Sequence, residues 1–182
     1  MTRSLYLGRW RVDIDLRHGI DLPIAQARLA RAIVAALEAA GAPSPASIGL
    51  ILSDDAALAE LNATHLGSSG PTDVLSFPLL PLGAFPDHPG KAHDDATGGG
   101  TFALPPRARP HLGDIVVSVE RAIEQADAGR GGQTGDVRWS TGDELRLLVT
   151  HGTLHVCGWD HAEPVEEAAM RALEQRLLAA PA

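Results

Sequence analysis

Residues 151–161 read His-Gly-Thr-Leu-His-Val-Cys-Gly-Trp-Asp-His. His151 and His155 are four residues apart, so on a helix their imidazoles project from one face, one turn above the other. Gly158 is the residue type that ends a helix in a left-handed turn, after which the chain can fold back and bring His161 to the same point. Three converging imidazoles leave one position open on a tetrahedral zinc, which is typical of a catalytic site. The stretch therefore predicts one Zn²⁺ per chain, bound by His151, His155 and His161.

The spacing of these residues equals that of the metzincin peptidase motif H-E-x-x-H-x-x-G-x-x-H, with one difference. Where that motif has its general-base glutamate, this chain has Gly152. A metallopeptidase is therefore one possible reading, and Gly152 counts directly against it. Gly152 also falls in the apolar stripe of the expected helix, which predicts close packing of its backbone against a neighbour. The histidines lie on the margin of that stripe, where a core helix meets a cleft.

Composition narrows the class of protein. The chain has 182 residues, of which 45% are apolar, enough for one domain with a sizeable core. It shows neither a membrane-length apolar run nor a signal-peptide pattern at its N-terminus, so we expect a cytoplasmic protein with no membrane partner. Cys157 is the single cysteine, which excludes an intramolecular disulfide. The 15 basic and 23 acidic residues give a net charge of −8, the wrong sign for phosphate binding, although a local basic patch remains possible.

The expected architecture is a sheet of four strands with helices. The strands are expected at 10–16, 47–52, 71–78 and 113–119, from alternating or short apolar runs. Segment 71–78 reads PTDVLSFP, and its flanking prolines favour an edge strand, where a missing N–H is least harmful. Such an edge can pair with an extended ligand or can simply be an edge. Asp21 with Pro23 is expected to start the first helix, and Gly41 to end it. Ser53 or Asp54 is expected to cap the second helix. A capping box of Thr141 and Glu144 is expected to start the helix of the histidine stretch, and Pro164 to start the last helix.

Residues 79–111 differ from the rest of the chain. They contain six prolines and five glycines and show no clear hydrophobic period. We expect one domain spanning 1–182, interrupted at about 79–111 by a mobile insertion. The insertion is interpreted as a tolerated surface loop, with a lid over the site as the alternative.

Three stretches together resemble the YbeY family of bacterial endoribonucleases. They are the histidine stretch, PTDVLSFP at 71–78, and LGDIV at 112–116 followed by a helix, and the resemblance covers nearly the whole chain except 79–111. It implies a zincin-like α+β fold with a mixed four-stranded sheet packed with helices. It also implies a zinc-dependent single-strand endoribonuclease, with zinc bound by the three histidines. The implied role is maturation of the 3′ end of small-subunit (16S) ribosomal RNA and ribosome quality control. The implied partners are single-stranded or ribosomal RNA, and the small ribosomal subunit or its assembly factors.

One feature of that family is missing. An aromatic-arginine pair commonly precedes the PTDVLSF strand, and a gapless alignment places His65 and Leu66 there. The arginine is absent, which puts its phosphate-binding role in doubt, and His65 could replace it only when protonated. We expect arginine at position 66 to strengthen RNA binding or cleavage.

Two aspartates are weak candidates for the general base, Asp73 and Asp160. Asp160 either orients a ligand imidazole or serves as a turn aspartate. Asp73 and Asp114 either hold the geometry of the cleft or satisfy donors at strand ends. A three-histidine zinc lowers the pKa of bound water towards about 7 and polarises phosphoryl oxygens, so water and an RNA 2′-hydroxyl are both open as nucleophiles. The alternative function is a non-catalytic ribosome-assembly factor stabilised by zinc.

Overall fold

The computed structural model describes residues 1–65, 72–91, 109–128 and 139–179. Its centre is a mixed five-stranded sheet with the strand order β1-β2-β3-β5-β4. The strands are β1 (Thr2–Leu7), β2 (Trp10–Leu16), β3 (Ala46–Ser53), β4 (Val74–Pro78) and β5 (His111–Ser118). The helices are α1 (Gln26–Ala39), α2 (Asp55–His65), α3 (Val119–Asp127), α4 (Thr141–Val156) and α5 (Pro164–Ala179), and a 3₁₀ turn spans Leu82–Ala84.

The α+β class is confirmed, and the expected strand count is wrong because β1 adds a fifth strand. β1 and β2 are antiparallel, β2 and β5 both run parallel to β3, and β4 is antiparallel to β5. β1 is exposed at most positions and therefore lacks a clear apolar alternation. Pairing with β2 holds it instead, helped by hydrogen bonds from Ser4 Oγ to Asp13 (2.5 Å) and from Thr2 Oγ1 to Asp15 (3.0 Å). β4 lies at the opposite edge, as its prolines predict.

The main core lies between one face of the sheet and helices α1 and α4. Inward-facing residues of β2 alternate with polar ones. On β3 and β5 the opposite face is partly covered as well, because Ile51 and Val116 there join a smaller apolar cluster with Leu58 of α2. Helix α4 packs across β4 and β5, and this contact positions the histidine stretch. The largest fully buried side chains of this core are Ile14, Leu29, Ile33, Leu37, Ile48, Leu50, Leu52, Leu112, Ile115, Leu145 and Leu154.

Two helix starts differ from the expected ones. Helix α1 begins at Gln26, after the predicted signals at 21–23, and its N-cap Ala25 makes no side-chain cap. The capping box of α4 is formed by Ser140 and Asp143, one residue before the predicted pair. Serine and threonine both make good N-caps, so local sequence does not separate these two registers. The cap of α2 is as predicted, because Asp54 Oδ1 accepts the Ala57 N–H at 2.8 Å.

Several residues within 79–91 of the expected insertion contact the rest of the fold, although most of this part is exposed, and the mobility of the insertion stays a prediction. Phe85 is 4% exposed and belongs to the main core. The ring of His88 stacks on Trp159 with centroids 3.8 Å apart, and Lys91 forms a β-bridge with Trp159. Two isolated aromatic contacts give no hydrophobic period, so sequence pattern cannot reveal them. The insertion also ends earlier than expected, because His111 opens β5; residues 92–108 lie outside the described residues.

Candidate metal centre

Helix α4 carries two of the three histidines and ends in the turn that returns the third. Gly158 has φ of +82°, its N–H donates to His155 O, and the Trp159 N–H donates to Leu154 O, both at 3.0 Å. These two hydrogen bonds form a Schellman motif, which satisfies the last carbonyls of the helix and reverses the chain. The turn brings His161 back beside the helix, as the position of Gly158 predicts.

The three imidazoles converge as the spacing predicts. One ring nitrogen from each of His151, His155 and His161 lies within 4.8 Å of the others. The Nε2 atoms of His151 and His155 are 3.0 Å apart. Two nitrogen ligands of a tetrahedral zinc, each about 2.0–2.1 Å from the metal, lie about 3.3 Å apart. The three histidines can therefore hold a metal ion.

Burial keeps His155 in the form that a ligand needs. Burial, together with positive charge on His151 and His161, lowers its pKa from 6.5 to about 4. His155 is therefore neutral at pH 7, with a nitrogen lone pair free for a metal.

His151 is oriented by a buried carboxylate from α5. Its Nδ1 lies 2.7 Å from Glu174 Oε1, and the Glu174 side chain is 2% exposed. A carboxylate accepting from Nδ1–H fixes the tautomer in which Nε2 faces the metal. Sequence reasoning missed Glu174. The available signal was its place beside Leu173 on the inward side of α5, where a carboxylate needs a partner.

The three histidines line a cleft of about 840 Å³. Its opposite wall is β4, and one end is formed by the turn after α4. None of the described residues lining this cleft is lysine or arginine. The lining residues are His65, Thr72, Asp73, Val74, Leu75, Ser76, Phe77, Pro78, Leu82, His151, His155, Gly158, Trp159, Asp160 and His161.

Comparison with known proteins shows the family of this chain. A family profile described as Endoribonuclease YbeY matches residues 16–181. The chain belongs to the YbeY family. It is 43% identical to Endoribonuclease YbeY of Salinispora tropica over 79% of this chain and 80% of that protein. It is 35% identical to the protein of the same name from Roseiflexus sp., over 93% of this chain and 91% of that one. The solution structure of TM1509 from Thermotoga maritima aligns with a TM-score of 0.49 and 22% identity, covering 93% of this chain and 86% of that one.

Asp73 and Asp160 lie in the cleft of this YbeY-family chain and are both engaged with backbone groups. Asp160 Oδ1 accepts the backbone N–H of His161 at 2.8 Å, which is the contact of a turn aspartate. Asp73 accepts the Val74 N–H on Oδ1 (2.9 Å) and Gln125 Nε2–H on Oδ2 (3.0 Å), which is the contact of a strand-end residue. A catalytic role for either stays a prediction.

Two further positions bear on the family resemblance. Asp114 bonds to His111 Nε2 at 3.0 Å and does not line the cleft. His65 stands at the cleft rim with its ring edge-on to Phe77, the centroids 5.4 Å apart. Leu66, which the gapless alignment matches to the family arginine, lies outside the described residues. Among the described helices, none is both long and apolar enough to cross a membrane.

Proposed function

We propose that the protein is a zinc-dependent endoribonuclease specific for single strands. The biological role we propose is maturation of the 3′ end of small-subunit (16S) ribosomal RNA and ribosome quality control in the cytoplasm. The observation that carries the proposal is a centre of three imidazoles on the wall of an open cleft, in a chain of the YbeY family. The relatives named Endoribonuclease support RNA as the substrate.

The histidines, Glu174 and β4 have separate roles in the proposed reaction. A bound zinc polarises a phosphoryl oxygen and lowers the pKa of water. His151, His155 and His161 hold the ion, and Glu174 keeps the Nε2 of His151 directed at it. The wall formed by β4 receives the RNA strand and holds the scissile phosphate at the histidines.

The second candidate function is a ribosome-assembly factor in which zinc stabilises the fold without catalysis. The cleft lining favours it, because it offers no lysine or arginine among the described residues and the chain carries a net charge of −8. Its partners would be the small ribosomal subunit or its assembly factors.

The decisive experiment combines metal analysis with cleavage. Purified protein should contain one zinc per chain and cleave single-stranded RNA, and a chelator should abolish cleavage. His155→Ala should remove zinc and activity together, since two protein ligands remain. His18→Ala is the matched control, because His18 is exposed and outside the site.

Other outcomes separate the alternatives. Alanine variants of His151, His155 and His161 that all retain full metal would refute the site. Two results together would favour the assembly factor. The zinc-loaded protein would cleave no RNA, and cells carrying His151→Ala would still mature their ribosomal RNA.

A further inference from the structure

Backbone hydrogen bonds define which groups of β4 remain open towards the cleft. The Ser118 N–H donates to Asp73 O, and the Leu79 N–H donates to Leu112 O, both at 2.9 Å. In an antiparallel pair, hydrogen-bonded positions recur at every second residue. The odd-numbered residues from 73 to 79 therefore bond to β5. The even-numbered residues direct their N–H and C=O away from β5, to the free edge of the sheet.

Two of the three outward-facing positions do not offer a complete donor–acceptor pair. The Val74 N–H donates to Asp73 Oδ1 at 2.9 Å, and the Val74 C=O accepts from Thr72 Oγ1 at 3.3 Å. Pro78 has no N–H. At Ser76 neither the N–H nor the C=O takes part in a hydrogen bond within the described residues. Among the described residues, the edge thus offers one complete donor–acceptor pair.

That pair lies beside the metal centre. The Ser76 hydroxyl donates to Gly152 O at 3.0 Å, which ties β4 to the residue after His151. Ser76, His151 and His155 line the same cleft. A group bound at Ser76 therefore shares the cleft with a group bound at the histidines.

We propose that the Ser76 N–H and C=O bind the Watson–Crick edge of one unpaired nucleobase, an inference that rests on the proposed RNA substrate. The N–H and C=O of one strand residue point the same way, so they match a neighbouring acceptor and donor on a base edge. Proteins that recognise single-stranded RNA commonly bond to such edges. In a duplex the same edge is occupied by the partner base. The free pair at Ser76 therefore selects single strands.

The blocked neighbours argue against a peptide at this edge. A peptide that adds a strand needs a row of alternate free positions for its main chain. Here Val74 is closed on one side of Ser76, and Pro78 cannot donate on the other. One isolated donor–acceptor pair accommodates a single planar base. Neutral recognition of a base also suits a cleft whose described lining lacks lysine and arginine.

The test compares a short fluorescent oligouridine with the same oligomer made of N3-methyluridine. Methylation at N3 removes the donor, and the methyl group holds the base edge away from Ser76, so both hydrogen bonds are lost while the charge and the phosphates stay the same. Binding is measured by fluorescence anisotropy at fixed salt with chelator-treated protein, which should not cleave the RNA, and a gel confirms that the RNA stays intact. Losing the two hydrogen bonds should weaken binding to the wild-type protein about tenfold.

Two variants assign the effect to Ser76. Ser76→Pro removes the outward N–H without breaking a ladder bond and should bind both oligomers equally weakly. Ser76→Ala removes only the hydroxyl and should still discriminate between them. Melting temperatures show whether each variant is folded. If Ser76→Pro is unfolded, the wild-type protein still decides whether an unpaired base edge is bound, and equal affinity for both oligomers overturns the proposal.

The outcomes separate this inference from the proposed function. Equal affinity of the wild-type protein for both oligomers overturns the base contact and leaves the nuclease proposal standing. Folded Ser76→Pro that keeps the full discrimination overturns the assignment to Ser76. Failure of the wild-type protein to bind any RNA overturns the proposed function and this inference together.

Discussion

Replacing Glu174 by glutamine should weaken metal binding while leaving the fold in place. The carboxylate lies 2.7 Å from His151 Nδ1 and is 2% exposed, so the imidazole N–H donates to a charged acceptor shielded from water. Glutamine has nearly the same shape and keeps a carbonyl acceptor, but it loses the charge. Charge-assisted hydrogen bonds contribute about 1.5–3 kcal/mol and neutral ones about 0.5–1.5 kcal/mol, a difference of about 1–2 kcal/mol.

The effect on metal affinity should be of the same order. Removing the partner of a metal-bound histidine typically lowers affinity about 10–100-fold, which corresponds to about 1.4–2.7 kcal/mol. We therefore expect the zinc dissociation constant of Glu174→Gln to rise at least about tenfold. Competition with a chromophoric chelator measures this constant without reference to catalysis.

The matched control is Glu124→Gln, which neutralises a carboxylate that is 64% exposed and paired with Arg121 on α3. Its zinc affinity should equal that of the wild-type protein. A folded Glu174→Gln variant with wild-type zinc affinity would refute the reasoning that this carboxylate orients His151. Equal losses in both variants would show that the affinity reports overall charge instead.

Three further predictions concern the histidine stretch. Gly152→Ala places a Cβ 2.7 Å from Ile115 Cγ2. The cost of overpacking, about 1–3 kcal/mol, should exceed the gain in helix propensity of about 1 kcal/mol, so urea unfolding should show a less stable protein. A stabilised variant would contradict this packing. Burial raises the pKa of the Cys157 thiol to about 12, so iodoacetamide should label it only after the protein unfolds. Rapid labelling of the folded protein would contradict this burial. The pKa of His155, lowered from 6.5 to about 4, means that the unfolded chain binds a proton that the folded one excludes. Chelator-treated protein should therefore lose stability as the pH falls through this interval, and His155→Gln should lose less over the same range.

Features set by local backbone chemistry could be predicted from the sequence. His151 and His155 need only a helix to share a face, and Gly158 needs only its positive φ to turn the chain towards His161. The edge position of β4 follows from its flanking prolines for the same reason. In each case one or two residue types determine the backbone conformation, whatever packs around them.

Features set by contacts between distant segments could not be predicted in this way. The apolar stripe of α5 shows that position 174 faces inward, but not that it meets His151, 23 residues earlier. β1 is stabilised by its pairing with β2 and carries too little buried surface to give a strand pattern of its own. The packing of residues 79–91 depends on His88 and Phe85 finding partners far along the chain.

Gly152 connects the packing of α4 with the class of chemistry. A Cβ at this position would point into the sheet, 2.7 Å from Ile115 Cγ2, 3.1 Å from Val74 Cγ2 and 3.2 Å from Ser76 Oγ. In metzincins the general-base glutamate stands at the position of Gly152. Here side chains of β4 and β5 occupy the space next to that position, so a glutamate side chain would have to displace them. That steric argument weighs against peptide hydrolysis independently of the residue type. The same close approach lets Ser76 bond to Gly152 O, and this contact holds the donor–acceptor pair of Ser76 in the cleft of the three histidines.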